Sequence, residues 1–230
     1  MPSSDAIQQG GSDTALAPDR RRISRAHIAG TILLLIIGQL PLGDLVPGKG
    51  LLTQVAQEAI FWILTGLVLA YVRFIEQRPL SSIGLKRPTW KSLGFGVIGA
   101  LGMVAGAAFI YLVMFPALGL SANEAGLRVV QATPLWFQLM VLVRAPVFEE
   151  IFYRGFAIER LTEITGMRWL AALISLAAFT LAHLSYWGWT SLIAVAFQGA
   201  VLTILYLFRR DLGTNMIAHL ISDAVAFFLA

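Results

Sequence analysis

Residues 135–156 read LWFQLMVLVRAPVFEEIFYRGF, an apolar run of bilayer-spanning length into which Arg144, Glu149, Glu150 and Arg154 intrude. A helix needs about 20 residues to cross about 30 Å of hydrocarbon. Six further stretches approach that length, at 27–46, 52–72, 92–115, 169–187, 190–208 and 213–230. Composition agrees with this reading. The 230 residues are 57% hydrophobic and only 13% charged, with a mean hydropathy of +0.75; soluble domains run roughly 45–50% apolar and about 25% charged. A soluble sphere needs more charge to cover its surface, and a disordered chain would be far more polar. The expected fold is therefore all-α, a polytopic membrane helix bundle of about seven transmembrane helices.

Outside the apolar stretches, residues 1–25 are Ser, Gln, Gly, Asp and Ala closing on Arg20, Arg21, Arg22 and Arg25. Such a segment cannot build a core and reads as a disordered cytoplasmic tail. It leaves 26–230 as a single membrane domain. The twin arginine could open an export signal, but no small-x-small cleavage site follows 28–40, so the first stretch reads as a retained span. Thirteen of the 17 basic residues fall on one side of the predicted topology: the tail, the run from Arg73 to Lys91, Arg160, Arg168, Arg209 and Arg210. Lys49 and Arg128 fall on the other side. By the positive-inside rule the amino terminus is cytoplasmic. The net charge of +4 thus reports orientation, and no nucleic-acid partner is expected. The absence of cysteine excludes disulfides, thiolate metal sites, iron–sulfur clusters and cysteine nucleophiles. Gly94, Gly96, Gly99, Gly102 and Gly106 offer small residues at three- and four-residue spacing, a packing face for a neighbouring helix.

Ionisable groups inside a span are costly unless paired or wet, so each is a functional candidate. They crowd the carboxy-terminal half: Glu149, Glu150 and Arg154 in the fourth stretch, Phe179-x-x-x-His183 in the fifth, and His219-x-x-x-Asp223 in the seventh. Glu150 and Arg154 are four apart and can pair on one helix face. Glu149 lies about 100° around the helix and is free to face another neighbour. Pro146, just ahead, removes a backbone hydrogen bond and should kink the helix. Glu58 and Arg144 read as a structural staple, pairing with each other or with Asp223. Two carboxylates, two of only three histidines and an aspartate on nearby spans suit hydrolysis. Glu149 with His183 could hold and deprotonate a water, while His219 and Asp223 orient the site or stabilise an oxyanion. The same Glu/His/His set could instead bind a divalent metal such as zinc, which would itself activate water. The sequence does not choose between the two. The His-Glu-x-x-His zinc motif, a rhomboid-type serine motif and a pair of membrane aspartates are all missing, so those three intramembrane protease classes are excluded.

Glu149-Glu150-x-x-x-Arg154, Phe179-x-x-x-His183 and His219-x-x-x-Asp223, in this order on successive spans, resemble the motifs of the CPBP (CAAX prenyl endopeptidase and bacteriocin-processing, or Abi) family of intramembrane glutamate or metalloproteases. The motif-bearing core is about 130–230, and Ile83-Gly84-Leu85-Lys86-Arg87-Pro88 resembles the cytoplasmic segment such proteins carry ahead of it. The resemblance implies peptide-bond cleavage in a membrane-anchored peptide or protein substrate, in the bilayer of a prokaryotic inner membrane. It implies that Glu149 activates water with His183 and that Glu150 and Arg154 support the site. His219 and position 223 would then stabilise an oxyanion or bind a metal. Position 223 is commonly Asn in the family; here it is Asp, which accepts rather than donates when ionised. A non-proteolytic immunity or scaffold protein of the same fold, or a proton-coupled transporter, remains as an alternative. One geometric demand stands. Glu149 and His183 must reach the same depth, which a fourth helix extended through Glu163 beside a tilted partner would provide.

Overall fold

A computed structural model describes residues 25–48, 50–123 and 125–229; residues 1–24 of the expected tail, Lys49, Glu124 and Ala230 lie outside the described residues. The fold is all-helical. Helix α1 is Arg25–Ile37, α2 Leu51–Ile75, α3 Trp90–Ala117, and α4 the short Ala125–Gln131. Helix α5 runs continuously over 135–165, α6 is Arg168–Ala182, α7 Leu184–Arg209 and α8 Leu212–Leu229. Four of these, α2, α3, α7 and α8, are long and apolar enough to cross a membrane, and two shorter apolar helices are His27–Ile37 and Arg168–Ala182. The remaining expected stretch became α5, about 46 Å long at 1.5 Å per residue, with its charges embedded in it. Each of the seven expected stretches therefore lands on a helix, whereas α4 was not expected.

The surface is inverted relative to a soluble protein. Leu101, Leu112 and Phe208 are exposed, while Glu150, Arg154 and Asn215 are buried. In hydrocarbon the polar groups must find partners inside the bundle.

Two local features set the depth of the site. Helix α5 contains Pro146, whose missing N–H loosens the ladder, and the next turns, Glu150–Ile158, widen into π-helix. Helix α6 stops at Ala182, short of the expected boundary at 187, and His183 begins the turn into α7. There, Gly188 takes φ 70° and ψ 169° inside a helix that is otherwise regular. The boundary expected between 187 and 190 thus coincides with Gly188, whose positive φ suits glycine, while α6 itself ends earlier than its expected limit.

The Gly-rich face of α3 packs as expected, though through only part of its glycines. A Cβ on Gly96 would lie 2.7 Å from the Ile217 side chain and 3.0 Å from the Thr214 carbonyl oxygen. Gly99 faces Leu205 and Ala218, and Gly106 faces the Phe197 ring, while nothing lies within 4 Å of Gly94 or Gly102. Ahead of α3, the segment around Gly84 is stitched beneath the bundle. The Tyr206 hydroxyl donates to the Ile83 carbonyl (3.1 Å), and the Leu212 N–H donates to the Gly84 carbonyl (2.9 Å).

These contacts predict a contrast within one helix. Gly96→Ala should destabilise the fold by about 1–3 kcal/mol by forcing α3 from α8. Gly102→Ala, in open space, should be neutral or stabilising by up to about 1 kcal/mol. Thermal unfolding of the two variants in detergent checks this; equal midpoints would remove close packing as the reason for Gly96.

Candidate active site

The π-widened part of α5 places the two adjacent glutamates in different surroundings. Glu150 faces inward and is fully buried, with 0% exposure. Its Oε1 accepts from Arg154 Nη1 (3.1 Å) and from His219 Nδ1 (2.9 Å). Its Oε2 accepts from Asn215 Nδ2 (3.1 Å). Arg154 spends its other arm on the Gly199 carbonyl (3.1 Å), and its guanidinium lies 4.1 Å from the centre of the Phe179 ring. Gly199 permits this approach, since a Cβ there would sit 2.9 Å from that ring.

Glu149 turns toward a different group. Its Oε2 lies 3.9 Å from His183 Nε2 and 3.8 Å from His219 Nε2. Its Oε1 lies 3.7 Å from Arg144 Nη1. Arg144 is in turn held by Glu58, which accepts from Nε (2.6 Å) and Nη2 (2.9 Å), with the Phe61 ring beneath it. The expected staple is therefore Glu58–Arg144, and its free arm points at Glu149. His219 Nε2 also lies 3.4 Å from Asp223 Oδ2. Access is uneven: the side chains of His183 and Asp223 are each 20% exposed, more than those of their neighbours. The site meets its surroundings along that edge.

The partners of the two imidazoles differ. His183 Nδ1 lies 2.7 Å from the Phe179 carbonyl, which can only accept, so Nδ1 carries a proton and Nε2 is the atom turned toward Glu149. Phe179 itself packs on the His183 ring, 4.6 Å between centres. It supports both Arg154 and His183 and offers no reactive atom. His219 faces carboxylate oxygen at both nitrogens, and an N–H on each gives every contact a donor.

The depth requirement is met. Helix α5 continues past Glu163 to Thr165, and the 15-residue α6 rises only about 22 Å, so its terminal His183 reaches the level of Glu149. All seven residues singled out from the sequence, Glu149, Glu150, Arg154, Phe179, His183, His219 and Asp223, lie in one connected cluster. Asn215 was missed. It precedes His219 by four residues and shares its face, so a buried amide in an apolar span was the available signal.

The spacing of the donor set bears on a metal. Among the described residues, no group of three or more His, Cys, Asp or Glu has metal-binding geometry. The separations of 3.8 and 3.9 Å around Glu149 Oε2 exceed the roughly 3.3 Å between neighbouring ligands of tetrahedral zinc with bonds of about 2.0–2.1 Å. They suit a water, whose arms of about 2.8 Å can bridge such a gap. The residues as arranged do not fit zinc.

Residues 131–225 match the family model described as Type II CAAX prenyl endopeptidase Rce1-like. Over 95 residues, 40% of this chain, the sequence is 36% identical to the UPF0177 protein YbdI of Lactococcus lactis subsp. lactis (strain IL1403). The matched part is 49% of that protein, so the chain spans about half the length of this curated relative. No solved structure gives a match. The family-matched range holds every residue of the cluster except Glu58 and Phe61, which α2 supplies from outside it.

The Glu150 contacts carry a stability prediction. Glu150→Leu should cost about 3–5 kcal/mol, because it strands a buried guanidinium. Glu150→Gln, which keeps the shape and some acceptor capacity, should cost less. Denaturant unfolding in detergent ranks the pair, and equal losses would mean that the ion pair is not what the position supplies.

Proposed function

We propose that this membrane-embedded chain, Rce1-like over residues 131–225, is an intramembrane endopeptidase that uses Glu149 and His183 to activate a water. One observation carries the reading: a single oxygen of Glu149 faces His183 Nε2 at 3.9 Å and His219 Nε2 at 3.8 Å. A water there donates one hydrogen to the carboxylate and one to the His183 lone pair. Its oxygen attacks the scissile carbonyl carbon as Glu149 takes a proton. The carbonyl oxygen, now anionic, lies toward His219 Nε2–H, which stabilises it. Glu149 then returns the proton to the amide nitrogen as the C–N bond breaks, releasing a carboxylic acid and an amine. Glu150 and Arg154 hold His219 and α5 in place, and Arg144 keeps the second oxygen of Glu149 turned from the water.

The substrate class follows from the medium. A mid-membrane site opening at His183 and Asp223 suits a peptide tethered by a lipid or by its own apolar segment. By the positive-inside rule the basic helix ends, with Arg73, Arg160, Arg168, Arg209 and Arg210, would face the cytosol of an inner membrane, with His183 at the far end of α6 from Arg168.

An internally quenched peptide ending in an S-farnesyl-cysteine CAAX sequence, presented to the purified protein in lipid nanodiscs, serves as the probe. Glu149→Gln should lower its cleavage by about 10²–10⁴-fold, while the variant stays folded. Cleavage unchanged in Glu149→Gln sinks the reading. A cellular phenotype that survives in Glu149→Gln would favour a non-proteolytic scaffold of the same fold. Chelation with 1,10-phenanthroline should leave the rate unchanged. Loss of activity that zinc restores would replace the water-only mechanism.

A further inference from the structure

Arg209, the last residue of α7, differs from the other arginines packed against the bundle. Arg144 pairs with Glu58, Arg154 with Glu150, Arg160 with Glu76, and Arg168 and Arg210 with Glu159. Arg209 has no carboxylate partner among the described residues. Its guanidinium lies 4.5 Å from the centre of the Phe95 ring, and its Nε, like that of Arg168, is shielded from solvent without a hydrogen-bond partner. A cation at the membrane edge without a carboxylate partner costs free energy until an anion reaches it.

The surroundings indicate which acceptor. Lys91 lies one turn before Phe95 on the same face of α3 and is exposed, which gives the position a second cation. The nearest acid in sequence, Asp211, is turned inward. It accepts from the Ser92 hydroxyl (2.6 Å), the Thr214 hydroxyl (2.8 Å) and the Gly213 N–H (3.1 Å). Around the two cations the surface is aromatic and outward-facing: Trp90 is 88% exposed and Phe208 82%. Aromatic side chains at a helix end mark the headgroup level of a bilayer. Below them Ile98 is exposed on the face of α3 that carries Lys91 and Phe95, in line for an acyl chain.

We infer that the edge between the start of α3 and the end of α7 binds one acidic phospholipid, its phosphate held between Lys91 and Arg209 and its acyl chain lying along Phe95 and Ile98. A guanidinium matches phosphate oxygens with two donors at once. Two cations without a free acid favour a headgroup of net negative charge over a zwitterion, whose ammonium the second cation repels. The site is separate from the Glu149 cluster and does not depend on the proteolytic reading.

Native mass spectrometry of the full chain in maltoside micelles, with phosphatidylglycerol and phosphatidylcholine of matched acyl chains, tests it. The wild-type protein should retain phosphatidylglycerol at least about tenfold better. Exposed Lys91→Gln should reduce that preference about fivefold, the worth of roughly one surface cation. Arg209→Gln should reduce it at least as much, and Arg209→Lys should keep most of it. Equal retention of the two lipids by the wild-type protein would overturn the inference, as would an undiminished preference in both Gln variants. Displacement of the bound lipid by millimolar glycerol phosphate would also overturn it, by showing a site for free phosphate rather than for a lipid. Because Lys91 is exposed, its variant keeps the test decisive even if Arg209→Gln fails to fold.

Discussion

The buried pair Glu150–Arg154 is the contact on which the arrangement of the carboxy-terminal helices depends. Both residues belong to α5, yet their remaining valences are spent on three other helices. Arg154 reaches the Gly199 carbonyl on α7 and the Phe179 ring on α6. Glu150 accepts from Asn215 and His219 on α8. In hydrocarbon, lateral association has no hydrophobic driving force, and packing with interhelical hydrogen bonds must set the geometry. A buried ion pair adds little net stability over an apolar filling, but a half-satisfied one is expensive. Its consequence here is register. Only one rotation and height of α6, α7 and α8 satisfies every partner, and that arrangement presents His183 and His219 to Glu149.

The same pair explains why two neighbouring glutamates behave differently. About 100° of helical rotation separates them. Glu150 meets fixed donors on all sides and has no freedom. Glu149 meets two imidazole nitrogens at distances too long for direct hydrogen bonds, with Arg144 behind it. Irregular backbone is tolerated at membrane depth only where it lines a wet cavity or is buried in protein. The loosened helix after Pro146 and the turn from His183 to Gly188 both occur beside this cluster. The departures from regular helix and the polar side chains are therefore one feature.

Much of this was legible in the sequence because the membrane simplifies the code. Apolar length located the helices, and polar residues in the wrong solvent located the cluster. Contacts within one helix, such as Glu150 with Arg154 or His219 with Asp223, follow from four-residue spacing. Contacts between helices were harder. The Glu58–Arg144 staple was one of two pairings open for those residues, and the Gly199 carbonyl has no side-chain signal at all. Asn215 carried a signal, but a neutral amide stands out less than a charge in an apolar run. One boundary failed where hydropathy carries no signal: α6 ends at Ala182 although apolar and aromatic residues continue through Trp187. Helix α4 was missed for the opposite reason, since a two-turn helix outside the hydrocarbon has no long apolar run to reveal it.

Asp223, where the resembled family commonly has Asn, acquires a specific meaning from the geometry. An amide there could donate to an oxyanion directly; an ionised carboxylate can only accept. Its Oδ2 stands 3.4 Å from His219 Nε2, slightly nearer than Glu149 Oε2 at 3.8 Å. Both carboxylates thus converge on one N–H, which neither holds at a short hydrogen-bond distance. A substrate carbonyl oxygen arriving between them would receive that N–H as charge develops, and the loose contacts to the carboxylates are cheap to give up. In the proposed reaction the carboxylate at 223 would act through His219, whose Nε2 it faces. On the proposed mechanism the donor that an Asn would offer comes instead from the imidazole one turn earlier on α8.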